Sequence, residues 1–273
     1  MPTKSGTALI TGASSGIGAA FARRLAREGY DLVLHGRRAE LLQRLRDELV
    51  RDHGIRAEVV CAELSRSEDL HILEAKVRDT PDLSLLVNNA GYSTLKFFHE
   101  EDVEGQDALI RVHVIAPVRL THAAIPIMRA HNDGAIINVS SIAGFLIGSG
   151  SATYCATKAY LINFTETLNL ELKGTGIRVQ VLCPGFTVSD FHRRLGYDTK
   201  SEFFRSFMRA EDVVDVSLRD LRRGKVVSVP GLRYKLVAVA SRLIPRPWFY
   251  ALVHSVQESR RKRSGEPGSA PKL

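Results

Sequence analysis

The chain is short of cysteine, of long apolar runs and, at one decisive turn, of acid. Its 273 residues include three cysteines, Cys61, Cys155 and Cys183, at unrelated spacings. That excludes a disulfide framework and offers no metal-ligand pattern, so no metal is expected and a reducing, cytoplasmic compartment is the simpler reading. No apolar run near Met1 is long enough for a signal peptide. No run near the C-terminus reaches the length of about 20 residues that a membrane-spanning helix needs. The imbalance that marks disorder is also missing, since 44% apolar and 25% charged residues are ordinary for a globular protein. The formal net charge of +8 is uneven: residues 230–273 hold nine Lys/Arg against two Asp/Glu, and residues 1–229 nearly balance. Nucleic-acid-binding proteins more often carry charge on the folded face that reads the polymer, so no nucleic-acid partner is expected.

What is present is an alternation. Short apolar runs at Thr7–Ile10, Asp31–His35, Arg56–Cys61, Leu83–Asn88, Gly134–Ser140, Arg178–Leu182 and Val226–Val229 read as strands. Helix-period stretches such as Gly16–Glu28, Ala39–Asp52, Asp69–Asp79 and Thr153–Lys173 lie between them. Strands alternating with helices imply parallel pairing through right-handed crossovers, with helices on both faces. The expected fold is α/β: a doubly wound Rossmann domain over residues 1–230, with a single parallel sheet of about seven strands. Residues 231–258 read as an apolar helical extension, interrupted at Pro245-Arg246-Pro247. Residues 259–273 read as a basic, disordered tail.

The first strand runs into Thr11-Gly12-Ala13-Ser14-Ser15-Gly16-Ile17-Gly18 and then a helix. A dinucleotide needs this arrangement, because the turn must be tight and a pyrophosphate must approach the backbone and the helix N-terminus closely. Glycines needed only for packing give the same pattern, so position carries the signal. At the end of the second strand, where a carboxylate would accept the ribose hydroxyls of NAD, the chain reads Leu34-His35-Gly36-Arg37-Arg38. Guanidinium groups suit a phosphate dianion. The reading is NADP(H), with Arg37 the expected phosphate contact and Arg38 flanking the adenine.

Farther on, Ser141 follows an apolar strand, and Tyr154 precedes Lys158 by one helical turn. Residues four apart share a helix face. A cation near a phenol favours phenolate, which makes the phenol a better acid–base group near neutrality. A serine at the carboxyl end of a parallel strand faces the cleft, where its hydroxyl can donate to a carbonyl oxygen gaining charge. Cys155 points about 100° away from Tyr154 and is expected to pack rather than react. Cys61 and Cys183 read as buried apolar residues at strand ends.

With these motifs in place, residues 5–230 resemble the short-chain dehydrogenase/reductase family. The resemblance also covers Asn88-Asn89-Ala90-Gly91, the thirteen-residue spacing from Ser141 to Tyr154, and Pro184-Gly185. It implies that Tyr154 donates a proton to a substrate carbonyl and Ser141 polarises that carbonyl. Lys158 would hold the nicotinamide ribose and lower the tyrosine pKa. Asn89, Ala90 and Gly91 would line the adenosine ribose, and Pro184, Gly185, Thr187 and Ser189 would wrap the nicotinamide. Glu63, with Leu64, stands where the family usually has an aspartate against the adenine. His113 stands where the family usually has an asparagine in a proton relay. It reads either as a relay member, with added pH sensitivity, or as a packed histidine. The family also implies a homodimer or homotetramer through the helices around 105–130 and 153–173.

After Pro184-Gly185 the family's substrate lid corresponds to 189–208, where Phe191, His192 and Phe204 are candidate substrate contacts among several aromatic side chains. Aromatic lining points to an apolar or bulky carbonyl or alcohol. The expected function is NADP(H)-dependent carbonyl reduction or alcohol oxidation. A 3-oxoacyl thioester reductase is the alternative within enzymes. A non-catalytic NADP(H)-binding scaffold is the alternative outside them. The C-terminal segment reads as a packed helical hairpin, a subunit contact, or a peripheral membrane contact through Trp248, Phe249, Tyr250 and the basic tail.

Overall fold

The computed structural model describes residues 6–93, 97–148, 150–188, 207–245, 247–248 and 250. Seven strands form one parallel sheet: β1 (Thr7–Thr11), β2 (Asp31–Gly36), β3 (Ala57–Cys61), β4 (Leu83–Asn88), β5 (Gly134–Val139), β6 (Ile177–Leu182) and β7 (Val227–Ser228). Their order is β3-β2-β1-β4-β5-β6-β7, every pairing is parallel, and helices cover both faces. This is the doubly wound Rossmann architecture. The order reverses between β1 and β4, and the crevice at that switch point is where such sheets bind ligands.

The reason lies in the period of each segment. Alternate residues of a strand face opposite sides, so a strand covered on both faces is apolar throughout. In β1, Ala8 and Ile10 join a core with Phe21 and Leu25 of α1 (Gly16–Arg27), Leu42 and Leu49 of α2 (Ala39–His53) and Val213 and Leu218. Leu9 joins the opposite core, with Leu73 and Val77 of α3 (Ser67–Arg78), Leu120 and Met128 of α5 (Ala116–Ala130) and Leu168 of α6 (Ala152–Glu171). Between α4 (Val103–Ile110) and α5, a π-turn at Arg111–Ile115 lets the Ala116 amide reach back to the Arg111 carbonyl. Two further helices, α7 (Ala210–Arg222) and α8 (Leu232–Leu243), flank β7.

At the cleft end of the sheet the core becomes polar. Asn88 and Asn138 are paired across β4 and β5. The Asn88 amide donates to Asn138 Oδ1 at 2.9 Å and to Thr121 Oγ1 at 3.1 Å. Asn138 Nδ2 donates to Thr165 Oγ1 at 2.9 Å. This chain of buried amides ties β4 and β5 to α5 and α6 directly beneath the strand ends that carry the site.

Candidate active site

The turn after β1 is built for close approach. Gly12 has φ of +68°, and a β-carbon there would lie 2.9 Å from the Ala90 Cα. A β-carbon on Gly18 would lie 2.3 Å from the Gly12 carbonyl oxygen. The first turn of α1, entered through Ser15, Gly16 and the half-buried Ile17, has no side-chain cap and no acidic residue. Its outward amides therefore suit a phosphate. Asn89 and Ala90 brace this turn from the end of β4. Asn89 Nδ2 donates to the Thr11 carbonyl at 2.9 Å and to the Gly12 carbonyl at 3.3 Å. The Asn89 and Ala90 amides both donate to Thr11 Oγ1 at 2.9 Å.

The two arginines divide. Arg38 closes on the turn, with Nη2 donating to Ser14 Oγ at 2.9 Å and to Ser15 Oγ at 2.6 Å. Arg37 Nη1 donates instead to Glu63 Oε2 at 3.0 Å. Glu63 Oε1 accepts the Ser65 amide at 3.3 Å, and Leu64 is buried. The residue expected to flank the adenine thus sits on the serines of the turn, and the expected phosphate contact is paired with a carboxylate. A groove of about 700 Å³ opens beside the turn, with Ser14, Ser15, Arg44 and Arg209 among its walls. It abuts the phosphate end and excludes Ser141, Tyr154 and Lys158.

The strand ends bring those three together. Ser141 leaves β5 in extended conformation and caps a 3₁₀ turn at Ile142–Phe145, its Oγ accepting the Ala143 amide at 3.1 Å. Lys158 is buried and lies one turn along α6 from Tyr154, with Nζ 5.7 Å from the Tyr154 ring centre. Its Nζ donates to the Val139 carbonyl at 3.0 Å, and burial lowers its pKa to about 8. The Tyr154 ring is partly exposed. Packing around the hydroxyl nevertheless pushes the phenol up to about 12, against a hydrogen bond with Ser141 that pulls it down. The expected lowering of the phenol by Lys158 is therefore absent in the protein alone. The ammonium is held at a strand carbonyl beside the ring, and burial is the largest influence on the phenol. Ser140, which no motif singled out, donates to the Lys158 carbonyl at 2.7 Å and fixes α6 to the end of β5.

His113 lies inside the π-turn and is only 1% exposed. The Tyr92 amide donates to Nε2 at 3.1 Å, which leaves the proton on Nδ1. Nδ1–H then faces Thr157 Oγ1 at 3.1 Å, and Thr157 donates to the Tyr154 carbonyl at 2.9 Å. Burial and the Lys158 charge hold the ring well below the ordinary imidazole pKa. Both nitrogens are occupied and the ring is neutral. In this arrangement His113 ties the segment after Gly91 to the helix carrying Tyr154.

Past β6, the Pro184 carbonyl accepts the Ile142 amide at 2.9 Å, next to Ser141. Thr187 Oγ1 donates to the Gly185 carbonyl at 3.0 Å. Phe186 stacks on Phe207 with ring centres 5.0 Å apart. Ser189, Phe191, His192 and Phe204 lie outside the described residues. Tyr234 of α8 is a contributor that the motifs missed. Its ring occupies the space a β-carbon on Gly185 would need, and its hydroxyl accepts the Phe186 amide at 3.1 Å. The only sequence sign was a single aromatic in the apolar segment 234–244, which carries two charges, Lys235 and Arg242. The cysteines need one correction. Cys183 is buried and Cys155 half-buried, but Cys61 is exposed, because it ends the edge strand β3, where no further strand covers it.

This geometry matches known proteins along most of the chain. A family profile described as short chain dehydrogenase matches residues 6–200. The chain belongs to the short-chain dehydrogenase/reductase family of oxidoreductases. A solved short-chain dehydrogenase from Sphingobium yanoikuyae, in complex with NADPH, is 32% identical with a TM-score of 0.78, covering 98% of each chain. A bulky-bulky ketone specific alcohol dehydrogenase from Comamonas testosteroni is 30% identical with a TM-score of 0.75, covering 98% of this chain and 96% of its own. A 3-oxoacyl-acyl-carrier-protein reductase from Rickettsia bellii is 36% identical over 199 residues, 73% of this chain and 80% of that protein.

Proposed function

We propose that the protein reduces the carbonyl of an apolar or bulky substrate with NADPH, or oxidises the corresponding alcohol. The observation that carries this reading is the convergence of Ser141, Tyr154 and Lys158 at the strand ends beside the glycine turn. When bound, the dinucleotide supplies the hydride. Every other role falls to the chain. Tyr154 delivers its proton to the carbonyl oxygen, and at a pKa of about 12 it keeps that proton until an acceptor arrives. Ser141, which lowers the phenol pKa against burial, donates to the same oxygen as it gains charge. Lys158, whose pKa of about 8 leaves it mostly cationic at neutrality, offsets the phenolate left behind. Holding the two reactants in register supplies much of the rate.

The uncapped amides of α1, with Ser14, Ser15 and Arg38, form the place for the two phosphate groups. The absence of a carboxylate on Gly36-Arg37-Arg38 supports NADP(H). The partly exposed Phe186, next to Gly185, supports an apolar substrate, as does the ketone named for the Comamonas enzyme. A 3-oxoacyl thioester is the second reading, favoured by the Rickettsia relative.

The deciding experiment follows NADPH consumption with bulky ketones and 3-oxoacyl thioesters, in wild type and Tyr154→Phe. Loss of turnover by at least about 10²-fold with NADPH binding intact is expected. Undiminished turnover in the variant would end the proposal.

A further inference from the structure

We propose that the outer face of α8 docks on an anionic lipid surface. Leu232, Leu236, Val239 and Leu243 are 73, 62, 56 and 76% exposed. At about 100° per residue they fall within roughly 60° of arc. Tyr234 and Ala238, on the opposite side of the helix, are the residues buried against the domain. The helix therefore has two apolar faces and uses one. Directly beyond it the Trp248 amide donates to the Pro245 carbonyl, and Trp248 and Tyr250 are both exposed. An aliphatic stripe followed by amphipathic aromatic rings is the composition that settles at headgroup depth.

Charge selects the occupant. Between Asp220 and Glu258 the sequence has no acidic residue, and Arg260-Arg261-Lys262-Arg263 follows. Lys235 is exposed beside the stripe. A second copy of the chain is a poor match, because a two-fold contact sets the same patch against itself, here one strongly basic segment against another. An anionic bilayer is complementary to it. The remainder of the chain is nearly neutral, so the net positive charge belongs to this end. The stripe lies on the reverse of the helix face that holds Gly185 and Phe186, so docking there leaves the cofactor loop braced.

Trp248 is the chain's one tryptophan, which makes its emission a direct probe. The full-length protein is mixed with vesicles of phosphatidylcholine alone or with about 30% phosphatidylglycerol, and binding is read by sedimentation and by Trp248 fluorescence. The expected result is a blue shift and at least about tenfold stronger binding to the anionic vesicles, weakened by salt. Leu236→Glu/Leu243→Glu should abolish binding while NADPH still binds. Trp248→Ala, read by sedimentation, provides a second variant with the same expected direction. Equal binding to both vesicle types, no binding, or variants that bind like wild type would overturn the proposal. So would a wild-type dimer that ignores vesicles and dissociates in Leu236→Glu/Leu243→Glu, which would assign the stripe to a second copy.

Discussion

The Tyr234 ring lies flat against Gly185, so close that a β-carbon on the glycine would fall 2.2 Å from two ring carbons. The same tyrosine accepts the Phe186 amide, and the Arg233 guanidinium packs 4.6 Å above its ring and donates to its hydroxyl. A C-terminal helix thus holds the loop that borders Ser141. Gly185→Ala forces the ring away, and a loss of about 1–3 kcal/mol in unfolding free energy is expected by denaturant titration. Tyr234→Phe keeps the packing and removes both hydrogen bonds that the hydroxyl accepts, from the Phe186 amide and from Arg233. It should raise KM for NADPH by about threefold to tenfold, a loss of roughly 1 kcal/mol, with kcat changed less.

His113 offers a separable test. Asparagine can accept from the Tyr92 amide and donate toward Thr157, so His113→Asn should retain turnover within about tenfold. Its pH–rate profile should match wild type, because the ring it replaces does not titrate in the working range. His113→Ala leaves the Tyr92 amide unpaired and opens a cavity, and should cost about 2–4 kcal/mol of stability. A shifted profile in His113→Asn would restore a relay role.

Coenzyme choice should follow Arg38 more than Arg37. Arg38 already spans Ser14 and Ser15, whereas Arg37 must leave Glu63 before it can hold a phosphate. Arg38→Leu is expected to weaken NADPH by about tenfold or more and to leave NADH nearly unchanged, since a charge-assisted contact is worth about 1.5–3 kcal/mol. Arg37→Leu should have the smaller effect. Dissociation constants for the two coenzymes, measured by fluorescence titration, decide the order.

Acid should destabilise the protein through two buried histidines. His35 is held down to about 4, chiefly by burial, and His113 is also lowered. A histidine whose folded pKa lies below its unfolded value of about 6.5 contributes stability that is complete above that value. This stability is lost as pH falls from there toward the folded pKa, because the unfolded chain takes the proton first. Each group should remove up to about 1.4 kcal/mol per pH unit across that window. Melting temperature should therefore fall between about pH 6.5 and 4.5, and less steeply in His113→Asn.

The strand–helix rhythm, the glycine turn, the missing acid after β2 and the spacing of Ser141, Tyr154 and Lys158 were legible from residues in order, because each rests on local periodicity or on a single turn. Cys61 shows the limit of that reading. A cysteine at a strand end is buried or exposed according to whether another strand lies beside it, and the order of strands is not written in one segment. The same holds for Arg37 and Arg38, adjacent in sequence yet directed to Glu63 and to Ser14. It holds for the Tyr154 phenol too, whose pKa is set chiefly by the packing around it, with Ser141 pulling the other way. Tyr234 meets Gly185 across 48 intervening positions, and no pattern in either segment announces it. Fold class and reactive side chains could be read from residue order, since hydrophobic period and residue chemistry are local properties. Which nitrogen of His113 carries the proton, which arginine faces the turn and which face of α8 stays uncovered emerged only on folding, because each depends on neighbours that the chain brings in from afar.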